Sequence, residues 1–242
     1  MNGWADALAL AGIVLAGSTV QRMSGMGFAL VAVPALVLLV GPEQGVALSN
    51  CAAGLISAVG LIDTWRRVRL AAMAPLVIAA ACTVPAGAWA LDHVPEPALL
   101  TGMGLLVTVA VVVIGSGVRV PALRGRGGAL TAGAASGFMN ASAGVGGPAV
   151  SLYAVNAEWS VAEFVPNAQF YGVVVNAFSV AAKGVPHLAT PVWSPAVGGM
   201  AVGTVAGRVL ADRVPERWAK VTILVLALTG GLTTLGKGVW SL

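Results

Sequence analysis

The chain has 242 residues, of which 58% are hydrophobic and only 9% are charged, and its formal net charge is +4. A soluble globular domain carries roughly 25% charged residues, so this composition, with a mean hydropathy of +0.91, excludes a soluble domain and indicates a membrane protein. The apolar residues show no alternation of period two, which favours membrane helices over a β-barrel.

Five membrane segments fit each half of the chain. Those of the first half are predicted at 6–21, 27–41, 44–63, 70–91 and 97–117, and those of the second at 128–141, 146–157, 162–182, 191–210 and 218–238. The opening pair of each half is short for two helices of about 20 residues each. These segments must be short, broken, tilted or re-entrant. We therefore expect an all-α integral membrane protein with helix breaks at membrane depth.

The chain reads as a duplicated unit. The stretch from Asp92 to Pro97 returns 120 residues later as Asp212 to Arg217, and a register shifted by one residue superposes 24–27 on 143–146, each containing a Gly-x-Gly. An odd number of segments per half inverts the second copy. The predicted units are a first membrane repeat, 1–118, a cytoplasmic linker, 119–127, and a second, inverted repeat, 128–242.

Charge predicts the orientation of these segments. We assume that successive segments cross the membrane in opposite directions, and call this the alternate threading. It puts nine basic residues on one side, namely Arg66, Arg67, Arg69, Arg119, Arg124, Arg126, Arg213, Arg217 and Lys220. The other side has only Lys183 and Lys237. Because cytoplasmic loops carry the excess of Lys and Arg, the first side is predicted to be cytoplasmic. Both termini are then outside.

The two Gly-x-Gly breaks predict the substrate site, since paired breaks in matching segments of two repeats mark such sites in transporters. Glycine permits the backbone turn, and a helix that begins after it directs free N–H groups and its positive dipole end at the break. Two such ends facing each other form an anion site. The predicted site residues at the breaks are Arg22, Ser24, Gly25 and Gly27, then Asn140, Ser142, Gly144 and Gly146.

Arg22 is the only basic residue within the opening pair of segments, and Ala141 stands at the matching position of the second half. A single guanidinium near the centre could hold two oxygens of one anion. The alternative is that Arg22 reaches the membrane surface from a helix end.

The third segments add a second matched set, in which Asn50 aligns with Gln169 and Ser57 with Asn176. We include Asn50, Gln169 and Asn176 in the predicted site, because neutral donors suit an anion that must also be released. The alternative for all four residues is that they join helices by hydrogen bonds.

Several functions are excluded or disfavoured by the residues present. The sequence contains no Gly-x-x-x-x-Gly-Lys-Ser/Thr stretch, so this chain does not hydrolyse ATP. Two His residues in predicted loops and two isolated Cys residues, Cys51 and Cys82, offer neither a catalytic group nor a metal site. We expect no enzyme activity, no cofactor, no metal and no nucleic-acid partner. The expected partners are a small anion and membrane lipid.

The chain resembles the sulfite exporter TauE/SafE family of the toluene sulfonate uptake permease superfamily. The likeness covers nearly the whole chain and rests on the stretch from Gly25 to Pro34, on Asn50, and on the stretches 136–138 and 144–148. It implies a bacterial inner-membrane transporter, usually an exporter, of sulfur-containing anions such as sulfite or organosulfonates.

The leading hypothesis is a secondary transporter whose two halves rock around a midplane anion site. The alternatives are an anion channel, which would keep a continuous pore, and a transporter of a non-sulfur organic anion. The residues themselves do not distinguish a sulfonate from a carboxylate.

Overall fold

The structure is a computed structural model that describes residues 4–187, 190–211, 213–214 and 216–242. These residues form ten α-helices and two short 3-10 helices, Trp65–Arg67 and Pro121–Leu123, without a strand. The first five α-helices are α1 (Trp4–Ser24), α2 (Phe28–Val40), α3 (Pro42–Ile62), α4 (Leu70–His93) and α5 (Glu96–Ser116). The others are α6 (Gly125–Ala143), α7 (Gly147–Asn156), α8 (Val161–Lys183), α9 (Thr190–Ala211) and α10 (Glu216–Trp240). Asp212 and Pro215 of the second motif lie outside the described residues.

Each predicted segment matches one of these helices, so the all-helical class is confirmed. α6 begins at Gly125, three residues before the predicted start. The 3-10 turn at 121–123 and the left-handed φ of 65° at Gly125 bring the chain directly into the helix. Part of the predicted linker is therefore helical.

Five of the described helices are long and apolar enough to cross a membrane. They are Trp4–Ser24, Pro42–Ile62, Leu70–His93, Glu96–Ser116 and Val221–Trp240 of α10. α2 and α7 have 13 and 10 residues, which at 1.5 Å per residue is about 20 and 15 Å. Both are shorter than a hydrocarbon core of about 30 Å, as the short opening segments of each half predict.

Helices of the two halves pack extensively against each other. α1 lies against α9 and α4 against α6, while α5 packs on α10 and α3 on α8. Small residues permit close approach, since a Cβ atom at Gly133, Gly137, Gly199 or Gly203 would meet the backbone of the facing helix. The halves thus form one helical bundle.

The distribution of polar residues is the reverse of that in a soluble protein. Large apolar side chains such as Leu8, Val59 and Val205 are exposed, whereas many neutral polar side chains are buried. The buried polar residues include Gln21, Asn50, Ser57, Asn140, Gln169 and Asn176. An apolar exterior of this kind suits contact with lipid, and the neutral polar side chains are gathered inside the bundle.

Contacts between loops and helix ends agree with the alternate threading. Two ion pairs join residues on the arginine-rich side, namely Arg69–Glu163 and Arg119–Glu158. On the opposite side, the backbone N–H of His187 donates to the Gln44 side chain at 2.7 Å. Each contact joins two residues that the threading places on the same side. Which side is cytoplasmic stays a prediction.

Candidate functional site

Each half of the chain contains one helix break of the same form. α1 is followed by Gly25 with a φ of 80°, and α6 by Gly144 with a φ of 69°. The N–H of each glycine donates to the carbonyl four residues earlier, at Gln21 (2.8 Å) or Asn140 (3.0 Å). A left-handed glycine just past the last helical residue is a common helix ending, because a side chain there would be strained. Both breaks lie at their predicted Gly-x-Gly stretches.

A second helix begins directly after each break. α2 starts after Gly27 and α7 after Gly146, and neither start has a side-chain cap. The N–H groups of a first helical turn have no partner within the helix and form the positive end of its dipole, although Pro148 removes one of them in α7. Both helix starts line the same cavity. Two positive helix ends therefore converge on one space.

The cavity between the breaks has a volume of about 60 Å³, which is enough for about four water molecules. Its polar lining consists of Gln21, Ser57, Asn140, Ser151, Tyr171 and Asn176. Among the described residues, none that lines it carries a charge. No three His, Cys, Asp or Glu side chains in the described part of the chain lie together as metal ligands would. The cavity thus offers neutral donors and helix ends.

In the first half, one amide at the cavity wall joins the broken helix to the third helix. The Gln21 Nε2 donates to the Ser57 hydroxyl at 2.9 Å and to the Ala53 carbonyl at 3.0 Å. Both α3 residues also line the cavity. The side chain of Gln21 is thereby fixed with its amide at the wall.

The second half contains the corresponding contact. The Asn140 Nδ2 donates to the Asn176 side chain at 3.1 Å and to the Ser179 hydroxyl at 2.9 Å. Asn140 and Asn176 follow Gln21 and Ser57 by 119 residues, the same offset as between the two glycines. Matching residues of the two halves thus make matching contacts on opposite walls of the cavity.

α3 and α8 cross beside the cavity, where glycines of each helix face polar side chains of the other. Gly172 faces the Ser57 hydroxyl, and a Cβ atom on Gly60 would lie 2.8 Å from the Gln169 amide. The Asn50 Nδ2 makes one hydrogen bond, at 3.4 Å, to the Asn140 carbonyl. The Asn50 Oδ1 and Gln169 Oε1 atoms are buried without a hydrogen-bond partner. The Gln169 amide thus lies in the α3–α8 contact and the Asn50 amide faces α6, and neither lines the cavity.

The structure brings together part of the predicted site. Gly27, Asn140, Gly144, Gly146 and Asn176 all line the cavity. The remaining predicted residues are outside its lining, namely Arg22, Ser24, Gly25, Asn50, Ser142 and Gln169. Ser24 closes the first break by donating to the Met26 carbonyl at 2.6 Å, and Ser142 donates back to the Phe138 carbonyl within α6. These contacts give both serines a local role in backbone geometry.

Arg22 points along the end of α1 towards Asp63, which follows α3. Its Nη2 lies 3.2 Å from the Asp63 carboxylate, and an Nη1 of Arg208 lies 4.0 Å from the same oxygen. The Arg22 side chain is 14% exposed and the Asp63 side chain 51%. The pair joins the ends of two helices whose preceding turns, at Gln21 and Ser57, form the cavity wall.

Four polar lining residues are absent from the sequence-based prediction, namely Gln21, Ser57, Ser151 and Tyr171. Gln21 flanks the break in the sequence, but only the structure places its amide at the cavity. Tyr171 is buried in α8 and also lines the cavity. It gives no signal in the sequence, since a lone aromatic residue in an apolar helix is usual for a packed core.

An apolar helical bundle with a polar cavity at two helix breaks is the arrangement of a membrane transporter. The family model for sulfite exporter TauE/SafE matches residues 8–234. The chain therefore belongs to the sulfite exporter TauE/SafE family, as its resemblance predicts, and is a multi-pass protein of a transporter family. Comparison with curated proteins and with solved structures gave no match.

Proposed function

We propose that the chain is a secondary transporter that carries small sulfur-containing anions, such as sulfite or organosulfonates, across the bacterial inner membrane. The anion occupies the cavity between the two breaks, where it is held by the helix starts of α2 and α7, by the second N–H of the Asn176 amide and by the hydroxyls of Ser57 and Tyr171. The Gln21 and Asn140 amides, whose N–H groups donate within the protein, fix the geometry of this lining. The two halves then expose this cavity to either side in turn.

The observation that carries the proposal is the convergence of two uncapped helix starts on one buried cavity. Anions are stabilised at helix N-termini, by about 0.3–1 kcal/mol at each exposed end and more where the site is partly buried. No acidic residue lies among the described residues of the lining to oppose a negative charge. Neutral donors bind without a full countercharge, which lets the anion leave again.

The size of the cavity supports a small substrate. A volume of about 60 Å³ has room for only a few water molecules, which suits a small anion. A longer organic group would extend beyond the lining and would need the space of an opened state. Sulfite is therefore the first candidate, and short organosulfonates are the second.

An inverted repeat is supported by the packing of the helices. In such a repeat, α1 of the first half corresponds to α6 of the second, and α4 corresponds to α9. The α1–α9 contact therefore corresponds to the α6–α4 contact, and both pairs pack extensively. α3 corresponds to α8 and α5 to α10, so each of these two contacts joins a helix to its own counterpart. α3 and α8 also cross antiparallel, because Gly54 faces Asn176 whereas the later Gly60 faces the earlier Gln169. We place the repeats at 1–118 and 128–242.

Export is the direction we propose. The arginine-rich side, taken as cytoplasmic, raises the local concentration of anions at its surface, and the Arg22 guanidinium lies at that end of the broken helix. We propose that Arg22 receives the anion before the anion reaches the cavity. The other predicted residues support the geometry of the site without lining the cavity. They are Ser24, Gly25, Asn50, Ser142 and Gln169.

A thermal-shift screen of the purified protein tests the proposal. A ligand that binds only the folded state raises the apparent melting temperature, so sulfite should raise it, and short organosulfonates should do so less. Matched carboxylates serve as the control for the preference for sulfur. If no anion changes the melting temperature, the site is wrong; if carboxylates act best, the substrate is a non-sulfur organic anion.

A further inference from the structure

Lys183, the last residue of α8, is a cation without an acidic partner in the contacts described. Its ammonium donates to the Ala141 carbonyl in the last turn of α6 at 2.8 Å, and its side chain is partly buried. No carboxylate of the described residues lies within 4.0 Å of it, although Asp92 is near enough to act on its charge. An ammonium has three N–H donors, and the contacts described use one.

A row of polar side chains leads from the cavity to this lysine. Asn176, Ser179 and Lys183 follow each other at helical spacing on one face of α8, so they lie above one another. Asn140 of α6 donates to both Asn176 and Ser179, and the next residue, Ala141, accepts from Lys183. Polar side chains between α6 and α8 are thus spaced one helical turn apart from the cavity lining to the end of α8.

The corresponding place in the first half has different chemistry. There the line runs from Gln21 and Ser57 to Arg22, which stands 119 residues before Ala141 and is paired with the Asp63 carboxylate. On that side an anion must compete with a carboxylate for the cation. At Lys183 the only hydrogen bond described is to a neutral carbonyl, which leaves the ammonium available to an anion.

We infer that Lys183 is a second anion-binding position, at the outward end of the path between α6 and α8. This inference rests on the proposed function, since the bound anion is the transported one. The anion passes from the Asn176 amide to the Ser179 hydroxyl and then to the ammonium. A charge-assisted hydrogen bond to a partly buried ammonium is stronger than one to a neutral donor, so the anion is drawn out of the cavity.

A structural role is the competing explanation, because a lysine near a helix C-terminus also stabilises its free carbonyls. Lys183→Gln separates the two roles, since glutamine retains N–H donors for the carbonyl but has no charge. Lys183→Arg keeps the charge. Lys237→Gln is the matched control, because Lys237 is an exposed lysine that the threading puts on the same side of the membrane.

In the experiment, sulfite is titrated into each purified variant, and calorimetry measures the heat of binding. We expect Lys183→Gln to weaken sulfite binding about ten-fold or more, and Lys183→Arg and Lys237→Gln to stay within about two-fold of the wild type. Unchanged binding by Lys183→Gln, with normal binding by the wild type, would overturn the inference and leave the proposed function intact. A wild type that binds no sulfite or sulfonate would overturn both.

Chemical rescue provides the second readout. In a background with Cys51→Ala and Cys82→Ala, the Lys183→Cys variant is alkylated with 2-bromoethylamine, an aminoethyl reagent that attaches an ammonium through a thioether, or with iodoacetamide, which attaches a neutral group; unlike a disulfide, neither thioether is cleaved by sulfite. We expect only the aminoethyl reagent to restore sulfite affinity. Equal recovery with both reagents, or none with either, would contradict a role for the charge.

Discussion

Gln21 and Asn140 hold the same position relative to their helix breaks. Each accepts, through its backbone carbonyl, the N–H of a left-handed glycine four residues later, and each donates its side-chain amide to the third helix of its own half. Both side chains line one cavity. The breaks and the amides are therefore parts of one arrangement, in which the turn that ends a helix also positions a side-chain amide at the cavity.

A negative charge at Asn140 should abolish anion binding. Asn140→Asp places a carboxylate at the cavity wall, where the Coulomb repulsion of a bound anion is about 4 kcal/mol at 4 Å and an effective dielectric constant of 20. We expect the sulfite-induced thermal shift to be lost. Asn156→Asp is the control, because Asn156 is buried at the other end of α7 and is absent from the cavity lining. A normal sulfite response from Asn140→Asp would place the anion elsewhere.

Substitutions at Arg22 and Asp63 separate binding from packing. If Arg22 receives the anion, Arg22→Ala should lower sulfite affinity about ten-fold or more, whereas Asp63→Asn should not, because it frees the guanidinium from its carboxylate. The ion pair is partly exposed, and such pairs contribute about 1 kcal/mol or less, so both proteins should still insert and fold. If the two substitutions have equal effects on binding, Arg22 serves only its pair with Asp63.

The left-handed glycine of the second break should resist substitution. Gly144→Ala forces a side chain into a φ of 69°, which costs about 1–2 kcal/mol, and its Cβ would lie 3.1 Å from Val33. Gly12→Ala in α1 is the control, since no atom lies within 4 Å of that Cβ, and alanine is preferred to glycine in a helix by about 0.5–1 kcal/mol. Unfolding in mixed detergent measures both; equal stability of the two variants would contradict the break geometry.

The crossing of α3 and α8 should be sensitive at Gly172. A Cβ atom there meets the Ser57 hydroxyl, so Gly172→Ala should destabilise the protein by about 1–3 kcal/mol through overpacking. Adding Ser57→Ala removes the clashing oxygen and should recover much of that loss. Additive effects of the two substitutions in a double-mutant cycle would show that the helices do not meet at this point.

Much of the fold follows from local signals in the sequence. The composition and the apolar runs predict every α-helix, and the two Gly-x-Gly stretches predict the breaks, because glycine adopts the left-handed backbone at Gly25 and Gly144 without strain. Asn140 and Asn176 follow from their matched positions in the two halves. These features depend on residues close together in the chain.

Other features depend on how distant helices approach each other. The pairing of Arg22 with Asp63 requires the ends of α1 and α3 to meet, and the sequence contains no sign of that contact. Asn50 and Gln169 hold matched positions in the sequence, yet the Gln169 amide lies against Gly60 of α3 and the Asn50 amide donates to the Asn140 carbonyl of α6. Periodicity identifies a polar residue on a helix, but the facing helix determines whether that residue reaches a cavity.

Counterflow tests the central claim most directly. Proteoliposomes loaded with unlabelled sulfite are diluted into a trace of radiolabelled sulfite, and uptake is followed with time. An alternating-access transporter predicts a transient accumulation of label above equilibrium that saturates with sulfite and is absent for Asn140→Asp. Label that rises to equilibrium without an overshoot, at a rate linear in sulfite, would contradict alternating access at this cavity and indicate a channel.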